Sequence, residues 1–284
     1  MKRSGTNPYD LPSVWDLDDE MEWAVQDLIP LSGITLFCAH SGTGKTWVAH
    51  AIAGAVANGQ PFVGLETKQL PVLYLDRENP LVVVKRNLDQ LGIGRVEEFR
   101  IWGGWNEKPP ANLNELLEYA EKHRPFLVVD ALVRFNPGDE QSAKDTSAFM
   151  QPIRQLANLG ATVLLLHHTG KAATAKKYRG SSDIEAAVDM AYVIDGKPKN
   201  RAVHQLTMKN FKSRFAPGRD FTIELCPGRG FITLESQAID PKATVKAIIL
   251  EHPGRNGTEI KALAKEHGLS HQAVDHVLEE LPSQ

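Results

Sequence analysis

The stretch Ala39-His40-Ser41-Gly42-Thr43-Gly44-Lys45-Thr46 constrains this chain more than any other. It follows the apolar run Ile34–Cys38 and precedes Trp47–Ala57, a run of helical character. Strand, small-residue loop closing on Gly-Lys-Thr, helix: this is the P-loop arrangement that holds a nucleoside triphosphate. Backbone N–H groups of the loop and the N-terminus of the helix face the same way and attract the phosphate chain. The nucleotide-binding residues read from this pattern are Ala39, His40, Ser41, Gly42, Thr43, Gly44, Lys45, Thr46 and Trp47. Lys45 can reach the β- and γ-phosphates, and Thr46 can put its hydroxyl on Mg²⁺. The strict pattern opens on glycine where this chain has Ala39, which is tolerable if the position needs no positive φ.

A chain of 284 residues suits one α/β domain with a small appendage, and 42% apolar residues suffice for a large core. Only Cys38 and Cys226 carry thiols, far apart in sequence. With no disulfide framework and no CxxC pair, a reducing cytoplasm fits best. No apolar run approaches the length of a membrane span. Met1-Lys2-Arg3 is basic, but no apolar segment follows it, so a signal peptide is not expected. A net charge of −3 excludes a globally basic nucleic-acid coat, and any DNA contact has to come from local patches.

Residues 1–30 read as a strap with Pro30 as a break, 31–236 as the core, and 242–284 as a separate helical segment opened by Pro241. Within the core, β-like runs fall at Ile34–Cys38, Val72–Leu75, Phe99–Trp102, Phe126–Val129, Thr162–Leu166, Met190–Ile194, Val203–Met208, Phe221–Leu225 and Phe231–Leu234. Helical runs at Trp47–Ala57, Leu81–Leu91, Leu113–His123 and Thr146–Leu159 separate the early ones. Strands alternating with helices predict a parallel sheet covered on both faces, and the late strands, joined only by turns, predict an antiparallel extension.

Four further features carry chemistry. Phe126–Asp130 is an apolar strand ending in a carboxylate, which is what the Walker B position needs to face Mg²⁺. Val72–Leu75 ends in Asp76-Arg77-Glu78-Asn79. Hydrolysis needs a base near the γ-phosphate, and Glu78 beyond the strand tip competes with Asp76 nearer the strand body. Val163–Leu166 ends in His167-His168. One polar residue at that tip can report the γ-phosphate, whereas two adjacent strand residues point to opposite sides and make a poor metal pair. Lys212 and Arg214 lie two apart on a strand, share a face, and can act as an arginine finger toward a neighbour's triphosphate; alternatively they form a basic edge that discourages aggregation.

Together these features resemble the RecA-like hexameric ATPases, most closely the plasmid RepA-type helicase group and more distantly DnaB-type helicases and KaiC-like ATPases, over residues 20–236. The resemblance implies a RecA-like α/β fold. It makes Lys45 and Thr46 Walker A, Glu78 the catalytic glutamate, Asp130 Walker B beside Thr46 at the metal, and His168 the sensor. It also implies that Lys212 and Arg214 act in trans within a hexameric ring of identical subunits. The cofactors implied are ATP and Mg²⁺. Arg179-Gly180-Ser181 resembles the stretch opening the next helix in these proteins, and Lys171 stands where relatives often carry a basic residue. Channel-facing loops would hold single-stranded DNA, and Lys171, Lys176, Lys177 and Arg179 supply cations with Tyr178 beside them. Arg134–Glu140 is a second candidate loop. In the last segment, Thr258 and Ser270 read as N-caps, and Leu263, Ala264, Gly268, Leu269, Val274 and Val277 fit helix-turn-helix packing. The function expected is a replicative DNA helicase of a plasmid, phage or mobile element. The alternative is an ATP-switched DNA-binding regulator that does not unwind.

Overall fold

A computed structural model describes residues 12–16, 20–105, 107–136, 138, 142–168, 182–198, 204–215, 218–234, 245–246, 248–249, 252, 257–266 and 274. Among them, β1 (Trp23–Val25) pairs with β2 (Ile29–Pro30) in a small antiparallel hairpin. The main sheet has nine strands: β3 (Ile34–Ala39), β4 (Val72–Asp76), β5 (Phe99–Gly103), β6 (Phe126–Asp130), β7 (Thr162–His168), β8 (Met190–Pro198), β9 (His204–Ser213), β10 (Phe221–Cys226) and β11 (Gly230–Leu234). Their order is β11-β10-β9-β8-β3-β7-β6-β4-β5. From β8 to β5 every pairing is parallel, while β8 to β11 form the antiparallel extension.

Helices α1 (Lys45–Asn58), α2 (Leu81–Gln90), α3 (Leu117–His123), α4 (Ala143–Asn158) and α5 (Ser182–Ala187) follow the strands. The central strands are apolar along their whole length because both faces are covered. Period-2 alternation then sorts the residues. Phe37, Tyr74, Val128, Leu164 and Tyr192 meet Val48, Ile52 and Val56 of α1 on one face. Leu36, Leu75, Val129, Leu165 and Ala191 meet Phe149, Ile153 and Leu156 of α4 on the other. Each fully buried Leu, Ile or Phe contributes about 1.5–3 kcal/mol to the two-sided core.

Three expectations change. Pro30 is no break: it ends β2, and Ala24, Val25, Leu28 and Ile29 are fully buried in the α1-side core. The segment's few apolar residues are clustered tightly enough to dock, and backbone bonds from Gln26 and Lys68 hold it. The strand expected to stop at Met208 runs on to Ser213, since its basic tail still pairs with β8. In the last segment, α6 (Gly257–Glu266) starts before Thr258, so that position lies in the first turn of the helix and not at its cap. Val245, Ile248, Ile260, Ala264 and Val274 are buried together there. Ser270 and nearly all of the expected second helix lie outside the described residues. No described helix is long and apolar enough to cross a membrane.

Candidate active site

Ligands of open α/β sheets bind beyond the carboxyl ends of the parallel strands. Here four such ends lie side by side and finish in Ala39, Asp76, Asp130 and His168. Ala39 is still extended strand and fully buried, so an alanine serves where the strict motif has glycine. The chain then turns through Gly42 (φ 78°) and Gly44 (φ 114°), conformations that a side chain resists. Gly44 is the N-cap, so α1 begins at Lys45, two residues earlier than its apolar pattern shows. The free N–H groups of that first turn open onto a cavity of about 270 Å³ lined by Ser41 to Trp47. Ala39 belongs to the core and His40 is exposed; neither lines the cavity.

The charged side chains converge on this loop. Lys45 Nζ stands 3.4 Å from His168 Nδ1, and His168 Nε2 stands 3.8 Å from Glu78 Oε2. His168 at the tip of β7 thus bridges the P-loop lysine and the glutamate. His167 points to the other face of the strand and is buried. The neighbouring His168 ring is the main influence holding the Glu78 carboxyl below its ordinary value. Partial burial opposes it, and Lys45 and Arg134 add to it. A carboxylate kept ionised is suited to accept a proton from water.

Asp76 has a different task. It is fully buried and accepts hydrogen bonds from the Glu78 and Asn79 amides at 2.9 and 2.8 Å and from the Asn79 side chain. It shapes the turn that carries Glu78, and its oxygens are already engaged. Burial nevertheless raises its pKa, against those amide donors. Arg77 donates to the Arg134 carbonyl at 2.8 Å and lies over the Phe135 ring at 5.2 Å. Phe135 is therefore buried beneath Arg77, although it belongs to a loop considered for DNA. Pro137, Asp139 and Glu140 of that loop lie outside the described residues.

Asp130 is buried next to Asp76 in the strand register. Its Oδ2 accepts from the Thr46 hydroxyl at 2.9 Å and from the Tyr74 hydroxyl at 2.7 Å. Its Oδ1 has no hydrogen-bond partner among the described residues. Burial pushes its pKa up to about 6, with the Asp76 charge adding and Tyr74, Lys45 and Thr46 opposing. An orphaned carboxylate oxygen beside a hydroxyl is a hard-oxygen donor set that fits Mg²⁺, an ion that keeps several waters and needs few protein ligands. Behind Asp130, Tyr74 packs against His50 of α1, the rings tilted by 43° with centroids 4.7 Å apart. His50 is fully buried, neither ring nitrogen has a hydrogen-bond partner among the described residues, and burial lowers its pKa to about 4.

Lys212 and Arg214 are occupied within their own chain. Lys212 Nζ donates to the Glu185 and Ala186 carbonyls, and Arg214 donates to the Ala186 carbonyl at 2.7 Å and to Asp189 Oδ1 at 3.2 Å. Asp189 also takes two bonds from Arg154, at 3.0 and 3.1 Å, and one from the Ile34 amide at 2.8 Å. These cations cap the carbonyl end of α5. Burial, then the Arg214 charge, lowers the Lys212 pKa. Arg154, Asp189 and Tyr74 carried no motif; the signal available was their type, ionisable or hydroxyl groups inside apolar runs. Lys171, Lys176, Lys177 and Arg179, the residues expected to hold nucleic acid, lie outside the described residues.

Comparisons with known proteins bear on the fold and the family. The fold aligns with the flagellar accessory protein FlaH from Methanocaldococcus jannaschii at a TM-score of 0.55 and 13% identity, covering 75% of this chain and 99% of that one. It also aligns with a KaiC-like protein from Pyrococcus horikoshii at a TM-score of 0.51 and 16% identity, covering 75% and 98%. At such identities the likeness is one of fold, and the mostly parallel sheet with flanking helices is that of a RecA-like P-loop core. No curated protein sequence matches significantly. Residues 12–174, more than half of the chain, match the family described as AAA domain, so this chain belongs to the AAA-domain family of P-loop ATPases.

Proposed function

We propose that the chain hydrolyses ATP with Glu78 as base and couples that hydrolysis to work on DNA, as a helicase of the RepA-like kind assembled in a ring. The observation carrying the hydrolysis is the chain of contacts from Lys45 through His168 to Glu78 beside the Thr46–Asp130 pair. Thr46 and Asp130 would hold Mg²⁺, which when bound neutralises charge on the β- and γ-phosphates. Lys45 meets the phosphate oxygens. Glu78 orients a water and takes its proton. His168 touches both groups and registers the γ-phosphate's presence. Asp76 and Arg77 keep the Glu78 turn in place.

The DNA role rests on the order of the motifs and on the cationic stretch Lys171–Arg179. The two solved structures are described as a flagellar accessory protein and a KaiC-like protein, so they lend no support to unwinding. A second reading, an ATP-switched regulator without unwinding, draws on one observation: Lys212 and Arg214 are engaged with α5 and Asp189 of their own chain. On the helicase reading they leave these contacts, or steady α5, when a neighbouring subunit docks.

ATPase rates with and without single-stranded DNA, paired with strand displacement, separate the two. Stimulation together with displacement is the expected result. ATP-dependent duplex binding with slow turnover and no displacement points to the switch. Mixing Arg214→Ala with a Lys45→Ala variant tests sharing of the site: activity returns at hybrid interfaces if Arg214 acts in trans, and stays absent at every ratio if it does not.

A further inference from the structure

Beyond the phosphate loop the cavity widens into a slot with two walls. Val83, Arg86 and Asn87 of α2 form one wall; Leu206, Leu225 and Phe231 of the antiparallel extension form the other. The walls are tied together, since the Gly228 amide in the β10–β11 turn donates to the Gln90 carbonyl at the end of α2, at 2.6 Å. Leu206 also lies against the P-loop, so that a Cβ on Gly44 would meet its methyl at 3.4 Å. Next to the phosphate loop, Val83, Leu206, Leu225 and Phe231 offer apolar surface to a flat aromatic ring, with a few polar groups setting its orientation.

Asn87 is the unexplained group on these walls. It is 2% exposed, yet its side-chain oxygen has no hydrogen-bond partner among the described residues. A primary amide buried in this way is costly to the fold unless something completes it. We infer that Asn87 reads the edge of the nucleotide base and that the base it selects is adenine; the inference rests on the P-loop being a nucleotide site. The amide offers an acceptor and a donor side by side, which matches adenine's exocyclic amine and the ring nitrogen next to it. A half-turn of the amide exchanges its two ends, so either arrangement on the base can be met. Guanine instead presents two adjacent N–H donors on its pairing edge, which a carboxylate answers better. The acidic residue lining this cavity is Glu78, whose carboxylate faces His168 at the strand tips. Arg86 beside Asn87 adds a cation and no acceptor.

The test measures equilibrium binding, with Mg²⁺ and the full chain, of ATP and of purine riboside triphosphate, which has the same ring without the amine. The unaltered protein is expected to bind ATP about tenfold more tightly, the effect of one buried hydrogen bond. In Asn87→Leu, or Asn87→Ala if the larger residue disturbs the helix, the two ligands should bind within about twofold of each other. Equal binding of both by the unaltered protein overturns the inference, and so does a preference that survives in the Asn87 variants. If neither triphosphate binds the unaltered protein, the nucleotide reading itself falls, a result distinct from equal binding.

Discussion

Two clusters built around a buried aspartate lie at opposite ends of the core strand β3, and they are finished differently. Near its start, Asp189 accepts four hydrogen bonds, from Arg154, Arg214 and the Ile34 amide, and both carboxylate oxygens are satisfied. Beyond its end, around the P-loop, Asp130 Oδ1, Asn87 Oδ1 and both nitrogens of His50 are buried without hydrogen-bond partners among the described residues. Completed buried pairs hold structure, and incomplete ones lose stability that a ligand can restore. The difference separates a joint from a site, although a buried aspartate stands at the centre of each.

The contrast can be broken at either end. The largest effect is expected from Lys45→Ala, which should reduce ATP turnover by about three orders of magnitude or more while leaving the melting temperature close to that of the parent. Single-turnover assays alongside calorimetry check both halves. Next is Glu78→Gln: it should bind ATP with nearly unchanged affinity and hydrolyse it about 10²–10⁴-fold more slowly. Normal hydrolysis by this variant would remove Glu78 from the role of base. At the other end, Asp189→Asn strands two guanidinium groups that are partly exposed. A loss of about 2–4 kcal/mol in denaturant unfolding is expected, with ATP affinity of the folded protein unchanged. Should nucleotide affinity fall with stability, the two clusters are one unit and the comparison fails.

The smallest net effect is a pH dependence, because two buried groups oppose each other. Burial lowers the His50 pKa from 6.5 to about 4, so between those values the unfolded chain binds more protons than the folded one. The His50 contribution to stability is therefore full above pH 6.5 and is lost as pH falls toward about 4, while Asp130, with its raised pKa, contributes in the opposite sense. About 3 kcal/mol is involved at full titration. Unfolding curves at pH 7 and 4.5 for the parent and His50→Leu measure it, and the variant should show the shallower decline. Equal declines would mean that His50 is not the group being charged.

Much of this was legible along the chain. The alternation from Ile34 to Leu166 announces its strands and helices because both-face burial makes each parallel strand an unbroken apolar run. The P-loop is legible because its glycines and Gly-Lys-Thr ending are local. The choice between Asp76 and Glu78 was not legible, since both are carboxylates at a strand end. Only the turn shows Asp76 consumed by the Glu78 and Asn79 amides. The same holds for Lys212 and Arg214. Their spacing puts them on one face, but their partners, the α5 carbonyls and Asp189, lie more than twenty residues away.

The primary structure by itself determined the strands of the main sheet and the helices between the early ones, where the phosphate loop lies and which strands end in chemistry. Periodicity and short-range turn geometry act between near neighbours, and they need no knowledge of the rest of the chain. The tertiary structure alone decided which strand ends stand side by side. It also decided that His168 bridges Lys45 and Glu78, that Asn87 faces a slot closed by the antiparallel extension, and that Asp189 gathers Arg154 and Arg214. Those relations depend on strand order and crossover, which bring together residues whose separation along the chain carries no signal of their distance in space.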